Sequence, residues 1–150
     1  MGSSMSSMWG YHPASNLLNG KGLDGSFGGD RCVATNHGAN QWISFELADP
    51  RKLSRVQIAP RRTGGLGTSR SVNILVTIGP SESYDANEPS CLPMIPVLNM
   101  DPGLTDYKCI EPLHEGKYVK FSRGLDGSDG IMDFCEVKIF TIGRLEFSFN

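Results

Sequence analysis

The sequence predicts an all-β domain built as an antiparallel β-sandwich. Eighteen glycines and nine prolines are scattered along the 150 residues and are not concentrated in one tract. Segments of alternating apolar and polar residues recur between these turn signals, and no segment keeps a helical period over several turns. This combination is typical of many short strands joined by tight turns, with the loops gathered at the two ends of a sandwich.

Each predicted strand has its own signal. The segment 41–47 alternates, which places Ile43, Phe45 and Leu47 on one face and leaves Trp42 on the other. A turn is predicted at Asp49-Pro50. The remaining strands are predicted at 53–58, at the β-branched run 72–78 that Gly79-Pro80 ends, at 117–121 and at 136–140.

Length and charge limit the organisation and the partners. A chain of 150 residues without a composition break predicts one domain with a core of its own. We assign residues 14–142 to this domain, interpret residues 1–13 as a leader or vector-derived segment, and interpret residues 143–150 as a tail that is either a strand extension or vector-derived. The net charge of −2 argues against nucleic-acid binding. The apolar runs are too short for a transmembrane segment.

The four cysteines are Cys32, Cys91, Cys109 and Cys135, and none has the CxxC spacing of a zinc site. Three pairings are possible. The short interval between Cys91 and Cys109 favours a local bridge, which would leave Cys32 and Cys135 to join the early and late parts of the chain. Disulfides would indicate a secreted or extracellular protein, whereas four free thiols in a cytosolic protein are the alternative.

Several motifs follow one another along the chain. They are Asn16–Gly20, Cys32–Thr35, Trp42–Leu47, Val56–Arg62, Ile74–Gly79, Gly116–Val119 and Cys135–Phe140. In this order the chain resembles fucolectins (F-type lectins) and coagulation factor 5/8 C-type, or discoidin, domains. The resemblance covers nearly the whole chain. It implies a discoidin-like jelly roll with the disulfides Cys32–Cys135 and Cys91–Cys109, in agreement with the spacing argument.

The resemblance also implies a sugar site. F-type lectins hold the sugar with a histidine and two arginines, in a motif that contains Arg-x-Asp. The candidates here are His37, Arg61 or Arg62, and Arg70, because a guanidinium presents a rigid fork of donors to neighbouring hydroxyls. The aspartate of Arg-x-Asp is missing from this turn. The alternative is a solvated His37 and an Arg61 that binds backbone carbonyls.

A calcium site is the second implication of the resemblance. Ca²⁺ takes six to eight oxygen ligands. The positions that match the family's ligands are Asn16, Asn19, Asp30, Glu136 and the carbonyl of Cys135. Lys21 stands where another oxygen ligand is expected. Its ammonium, paired with Glu136 or Asp30, is the alternative occupant of the cation's place.

A repeated pentapeptide, Gly-Leu-Asp-Gly-Ser, occurs at 22–26 and 124–128. If the Cys32–Cys135 bridge brings the two loops together, their carboxylates would form an acidic cluster that needs a cation or a basic partner. The cluster would contain Asp24, Asp30, Asp126, Asp129 and Asp133. Two unrelated turns with the same turn chemistry are the alternative.

These observations predict an extracellular carbohydrate-binding lectin domain for a fucose-type glycan. The first alternative is a discoidin-type adhesion module with a degenerate sugar site, which would bind protein ligands or associate with itself. The second is a membrane-surface binder that uses the loop residues Leu66, Met94 and Ile95. The sequence contains no nucleophile elbow, zinc-protease motif or phosphate loop, so we do not expect an enzyme.

Overall fold

Eight antiparallel strands and one short helix form the described part of the fold. The computed structural model describes residues 1–63, 70–123 and 130–143. The elements are β1 (Gly2–Met5), a 3₁₀-helix (Ala14–Leu18), β2 (Val33–Ala34), β3 (Trp42–Pro60), β4 (Val72–Gly79), β5 (Ile95–Val97), β6 (Thr105–Lys108), β7 (Glu115–Arg123) and β8 (Asp133–Ile142). The predicted all-β sandwich is confirmed.

Strand β3 joins the two layers of the sandwich. Its first half pairs with β1 and β7, and its second half pairs with β8 and β6. The main path of the sheet therefore runs in the order β2-β8-β3-β7-β4-β5. A sheet that is continuous through one long strand can curl and enclose a single core.

The turn predicted at Asp49-Pro50 is wrong, because both residues lie inside β3, which is 19 residues long. The pairing of β3 with β7 shifts register between Glu46 and Arg51. Proline cannot donate a hydrogen bond to a neighbouring strand, and Pro50 lies in this break, where no donor is required. The Asp49-Pro50 pair therefore indicates an irregularity within a strand and not the end of a strand.

The core lies between the layers and is centred on three aromatic rings. Phe121 packs edge-on against Phe45 and Phe134, with 5.9 Å between ring centroids in each case. Ile43 and Leu47 are buried with Phe45, as the alternation predicted. The period of two along β3 thus directs one face of this segment into the core.

Both disulfides that the resemblance implied are present, Cys32–Cys135 and Cys91–Cys109, and no cysteine is free. The first bridge joins the residue before β2 to β8. The second crosses the segment that contains β5 and β6. The alternative of four free thiols does not describe this structure.

The segment 1–13, which we interpreted as a leader or vector-derived segment, lies on the domain in this structure. Strand β1 pairs with β3, and the backbone N–H of Trp9 donates to the carbonyl of Ala34 at 2.9 Å. The tail from residue 144 onward lies outside the described residues. Within the described ranges, no helix has the length and hydrophobicity that crossing a membrane requires.

Candidate functional site

Two arginines converge on one buried carboxylate. Nη1 of Arg61 lies 2.9 Å from Oδ2 of Asp133, and Nη1 of Arg70 lies 3.5 Å from the same oxygen. The side chain of Asp133 is fully buried, whereas Arg61 and Arg70 keep 9% and 17% of their side chains exposed. The charged group is therefore closed on the carboxylate side and reaches the surface on the arginine side.

The pairing of β3 with β8 explains why Arg61 and Asp133 lie together. Pro60 at the end of β3 pairs with Phe134 on β8. In an antiparallel pair the next residue of one strand lies beside the preceding residue of the other, so Arg61 lies beside Asp133. The contact joins residues 72 positions apart in the chain.

Burial raises the pKa of Asp133 above that of an exposed aspartate, and the adjacent Arg61 and Arg70 oppose this effect. Both guanidinium groups contact the same carboxylate oxygen. Oδ1 of Asp133 is buried without a hydrogen-bond partner in the described part of the chain. The carboxylate thus contacts both arginines from the protein interior and orients them.

Arg61 is held on two further sides. Its Nε donates to the carbonyl of Thr63 at 2.9 Å, and its guanidinium carbon lies 3.7 Å from the centroid of the Phe27 ring. Stacking of a guanidinium on an aromatic face is favourable and fixes the plane of the donors. Arg61 therefore binds a backbone carbonyl, as the alternative stated, and also takes part in the arginine pair.

Arg62 points elsewhere. It is exposed, and its Nε donates to the carbonyl of Met100 at 2.9 Å. Adjacent residues at the end of a strand point to opposite sides, so only one of the two arginines can face Asp133. Of the two candidates in the sequence, the structure brings Arg61, and not Arg62, together with Arg70.

His37 is exposed on the loop between β2 and β3. That loop packs closely against the chain before β8, because a Cβ on Gly130 would collide with the carbonyl oxygen of Gly38. No hydrogen bond or ion pair joins His37 to the arginines among the described residues. The structure therefore brings the loop of His37 to the same end of the sandwich without placing the imidazole in the arginine pair.

A stack of three rings that starts at Arg61 was not predicted from the sequence. The ring of His12 lies between Phe27 and Trp9, with centroid distances of 4.5 Å and 5.8 Å. Both Trp9 and His12 come from the segment interpreted as a leader. Two aromatic residues and a histidine within residues 9–12 were a signal that this segment packs against the domain.

The residues of the predicted calcium site lie together, and several of them bond to one another or to nearby backbone carbonyls. The amide nitrogen of Asn16 donates to the carbonyl of Cys32 at 2.9 Å, and that of Asn19 donates to the carbonyl of Asp30. The ammonium of Lys21 forms an ion pair with Asp30. Nitrogen donors thus face the oxygens that Ca²⁺ would need. Within the described ranges, no group of three or more His, Cys, Asp or Glu side chains could hold a metal ion.

Glu136, another of the predicted calcium ligands, is buried. Burial raises the pKa of Glu136, while hydrogen bonds from the backbone of Gly20 and Gly22 lower it. The Gly20 amide lies 3.0 Å from Oε2. Gly22 has no room for a side chain, since a Cβ there would collide with the carbonyl oxygen of Cys135. Lys21 pairs with Asp30, one of the two carboxylates that the sequence offered as its partner.

The acidic cluster does not form among the carboxylates that the structure describes. Asp24 pairs with Arg31 at 3.1 Å, Asp30 pairs with Lys21, and Asp133 belongs to the arginine pair. The like charges are therefore neutralised separately, by basic residues near each of them. Asp126 and Asp129 lie outside the described residues.

The apolar residues suggested as a membrane contact are not all exposed loop residues. Met94 is exposed, but Ile95 is buried in β5, where it pairs with Ile74 of β4. The expectation that Ile95 is an exposed loop residue is wrong, because the short strand turns it towards the core. Leu66 lies outside the described residues.

The structure is similar to solved lectin domains. A fucolectin from the serum of striped bass (Morone saxatilis) matches with a TM-score of 0.76 and 20% identity, over 93% of this chain and 46% of that chain. This chain therefore spans about half the length of the bass lectin. The lectin domain of lectinolysin, complexed with Lewis b antigen, matches with a TM-score of 0.74 and 18% identity, over 95% and 93% of the two chains.

A fucose-binding module from Streptococcus pneumoniae, SpX-3, matches with a TM-score of 0.67 and 21% identity, over 95% of this chain and 94% of that chain. No protein-family model matches the sequence, and no curated protein matches it either. At these identities the comparison establishes a shared fold. The predicted resemblance to fucolectins and discoidin-like modules is confirmed at that level.

Proposed function

We propose that this domain binds carbohydrate at the end of the sandwich where Arg61 and Arg70 meet on Asp133. The single observation that carries the proposal is this pair of oriented guanidinium groups, anchored on one buried carboxylate and with a small part of each arginine side chain exposed. Planar forks of N–H donors are suited to pairs of sugar hydroxyls. The proposed activity is binding and not catalysis.

The donors needed for a ligand are available. The contacts of Arg61 with Thr63 and Asp133 use two of the five N–H groups of its guanidinium. Asp133 is too deeply buried to touch a ligand itself. Its role in the proposal is to hold the arginines in place, so that a sugar meets donors that are already oriented.

The proposed ligand is a fucose-type glycan. Fucose combines hydroxyls with an apolar methyl group, and the site combines arginine donors with the ring of Phe27. Structural neighbours described as a fucose-binding module and as a complex with Lewis b antigen support this choice. The two disulfides support an extracellular location for such a domain.

Changing Arg61 or Arg70 to lysine should weaken sugar binding, although the charge is kept. Lysine cannot present two donors in one plane, and a hydrogen bond to a charged group contributes about 1.5–3 kcal/mol. The expected loss is roughly 10- to 150-fold in affinity. Titration calorimetry with L-fucose measures it, after a glycan array has established the ligand class.

The matched control is Arg62→Lys, which alters the neighbouring exposed arginine and should leave the affinity unchanged. The variant His37→Ala tests separately whether the loop histidine reaches the ligand. Equal affinity in the wild type, Arg61→Lys and Arg70→Lys would exclude the arginine pair as the site. Because a single sugar is expected to bind weakly, the array should carry the domain in multivalent form.

The adhesion module is the second candidate function. Exposed apolar side chains at Met94, Val97 and Ile110 favour it, since they lie near the Cys91–Cys109 bridge and away from the arginines in sequence. A wild-type protein that binds no glycan on the array would leave this candidate in place of the lectin.

For the predicted calcium site, the proposal is that the ammonium of Lys21 takes the place of the cation. The wild type should then show the same melting temperature in chelator and in millimolar Ca²⁺. An ion at 100 times its Kd would add about 2.7 kcal/mol to the free energy of unfolding, so calorimetry would detect binding easily. A clear rise in the melting temperature of the wild type would restore the calcium prediction.

The variant Lys21→Asn supplies the oxygen ligand that the position otherwise lacks. It should gain a Ca²⁺-dependent rise in melting temperature if Lys21 is what excludes the ion. Lys52→Asn is the matched control, because Lys52 is an exposed lysine of β3. A response to Ca²⁺ in both variants would indicate non-specific binding.

A further inference from the structure

A stack of rings leads from Arg61 to the surface. Phe27 contacts the guanidinium of Arg61, His12 lies against Phe27, and Trp9 lies against His12 with an angle of 10° between the ring planes. Arg61 is buried, Phe27 and His12 are half-buried, and Trp9 is 49% exposed. We name the rings of Trp9, His12 and Phe27 the aromatic ledge.

Hydrogen bonds hold the ledge in place from both ends. The N–H of Trp9 donates to the carbonyl of Ala34, and the N–H of Ala34 donates to the carbonyl of His12. At the other end, the N–H of Phe27 donates to Oγ1 of Thr63 at 2.9 Å. Thr63 also binds Arg61 through its carbonyl, so the ledge and the arginine pair share one support. Their relative position is set before any ligand arrives.

The ring of His12 depends on its neighbours for its position. Its Nδ1 is buried and has no hydrogen-bond partner in the described part of the chain. Stacking between Phe27 and Trp9 therefore orients the imidazole. Gly10, with a φ of +58°, makes the turn that brings Trp9 back over His12, a conformation that favours glycine.

We propose that Trp9 is a second subsite, which binds the sugar ring next to the one held by Arg61 and Arg70. The ligand would then be an oligosaccharide of at least two rings. Sugar rings carry an apolar C–H face, and a flat exposed aromatic ring is suited to cover it. Phe27 lies between the two subsites, since its ring centroid is 3.7 Å from the guanidinium carbon of Arg61 and 6.2 Å from the centroid of Trp9. This inference rests on the proposed function.

The experiment compares L-fucose with a fucosyl-galactose disaccharide by titration calorimetry. The wild type should bind the disaccharide more tightly, by roughly two- to tenfold for one aromatic contact. Trp9→Ala should lose this preference and keep the affinity for L-fucose. Trp9→Phe, which keeps a flat ring, should retain part of the preference. Retained affinity for L-fucose also shows that the variant is folded.

Tyr11→Ala is the matched control. Tyr11 is 83% exposed and lies two residues from Trp9, so the control removes an exposed aromatic ring from the same segment. It should leave both affinities unchanged. An equal loss in Tyr11→Ala and Trp9→Ala would point to damage to the segment and overturn the subsite.

The outcomes separate the inference from the proposed function. A wild type that binds neither sugar contradicts the proposed function. A wild type without a preference for the disaccharide, or a Trp9→Ala variant that keeps the preference, overturns the second subsite and leaves the arginine site standing. Loss of L-fucose binding in Trp9→Ala would place the indole in the first subsite and would also overturn the inference.

Discussion

Replacing Asp133 by alanine should abolish sugar binding and lower the free energy of unfolding by about 3–5 kcal/mol. The change would leave Arg61 without the carboxylate that now neutralises it inside the protein. Removing one partner of a buried ion pair is costly because an uncompensated charge stays behind. Arg70 would also lose its ion pair with Asp133, so the two guanidinium groups would no longer be drawn to one point. Urea unfolding and calorimetric titration measure the two effects.

Asp106→Ala is the matched control for this variant. Arg55 and Asp106 form an ion pair with the same 2.9 Å separation as Arg61 and Asp133, but both side chains are 36% exposed. Exposed pairs contribute about 0–1 kcal/mol. A cost for Asp133→Ala as small as that of Asp106→Ala would contradict the argument that burial makes this carboxylate important.

The raised pKa of Asp133 gives sugar binding a pH dependence of its own, because protonation neutralises the carboxyl group but keeps the side chain in place. Its pKa is higher in the folded state than in the unfolded chain, so the folded state holds this proton more tightly. The stability that this group contributes is present below its ordinary pKa of 3.8 and is lost as pH rises through the raised value. Sugar binding has the opposite dependence, because it needs the carboxylate form. Affinity should therefore fall on acidification before pH 3.8 is reached, while Asp133 itself does not promote unfolding.

Removing the Cys32–Cys135 bridge should cost about 4.7 kcal/mol of unfolding free energy in the double alanine variant, because the bridge closes a loop of about 100 residues in the unfolded chain. The sequence separation is 103 residues. Removing Cys91–Cys109, with a separation of 18 residues, should cost about 3 kcal/mol by the same argument. Domains have only about 5–15 kcal/mol in total, so either loss is large.

The two disulfide variants should also differ in function. Cys135 lies two residues from Asp133 on β8, so the loss of its bridge loosens the strand end that supports the arginines. Sugar affinity should fall in the variant that lacks Cys32–Cys135 and should persist in the variant that lacks Cys91–Cys109. Urea unfolding and titration of both proteins are the measurements. Equal stabilities together with equal affinities would contradict this difference.

Much of the fold could be predicted because its signals are local. The alternation of residues 41–47 determines which side chains enter the core, since successive side chains of a strand point to opposite faces. The break at Pro50 shows the limit of the same reasoning. A proline and an acidic residue favour a turn locally, yet β3 continues because β7 pairs with it on both sides of the break.

The site was predicted only in part. Arg70 and the adjacent Arg61 and Arg62 could be named from the resemblance, but the choice between the last two required the register of β3 on β8. The aspartate missing from the arginine turn has a counterpart on a distant strand, Asp133. Likewise, no spacing in the sequence shows that Lys21 pairs with Asp30 where a metal ion was expected.

The sequence by itself determined the fold class, the inward face of the first half of β3 and a short set of arginine candidates. These features depend on residues close together in the chain, where periodicity and turn chemistry act. Only the tertiary structure decided that Arg61 meets Asp133 and that Trp9 and His12 stack beside Phe27. Such contacts join loops far apart in sequence, and their geometry is fixed by the register and packing of the strands that carry those loops.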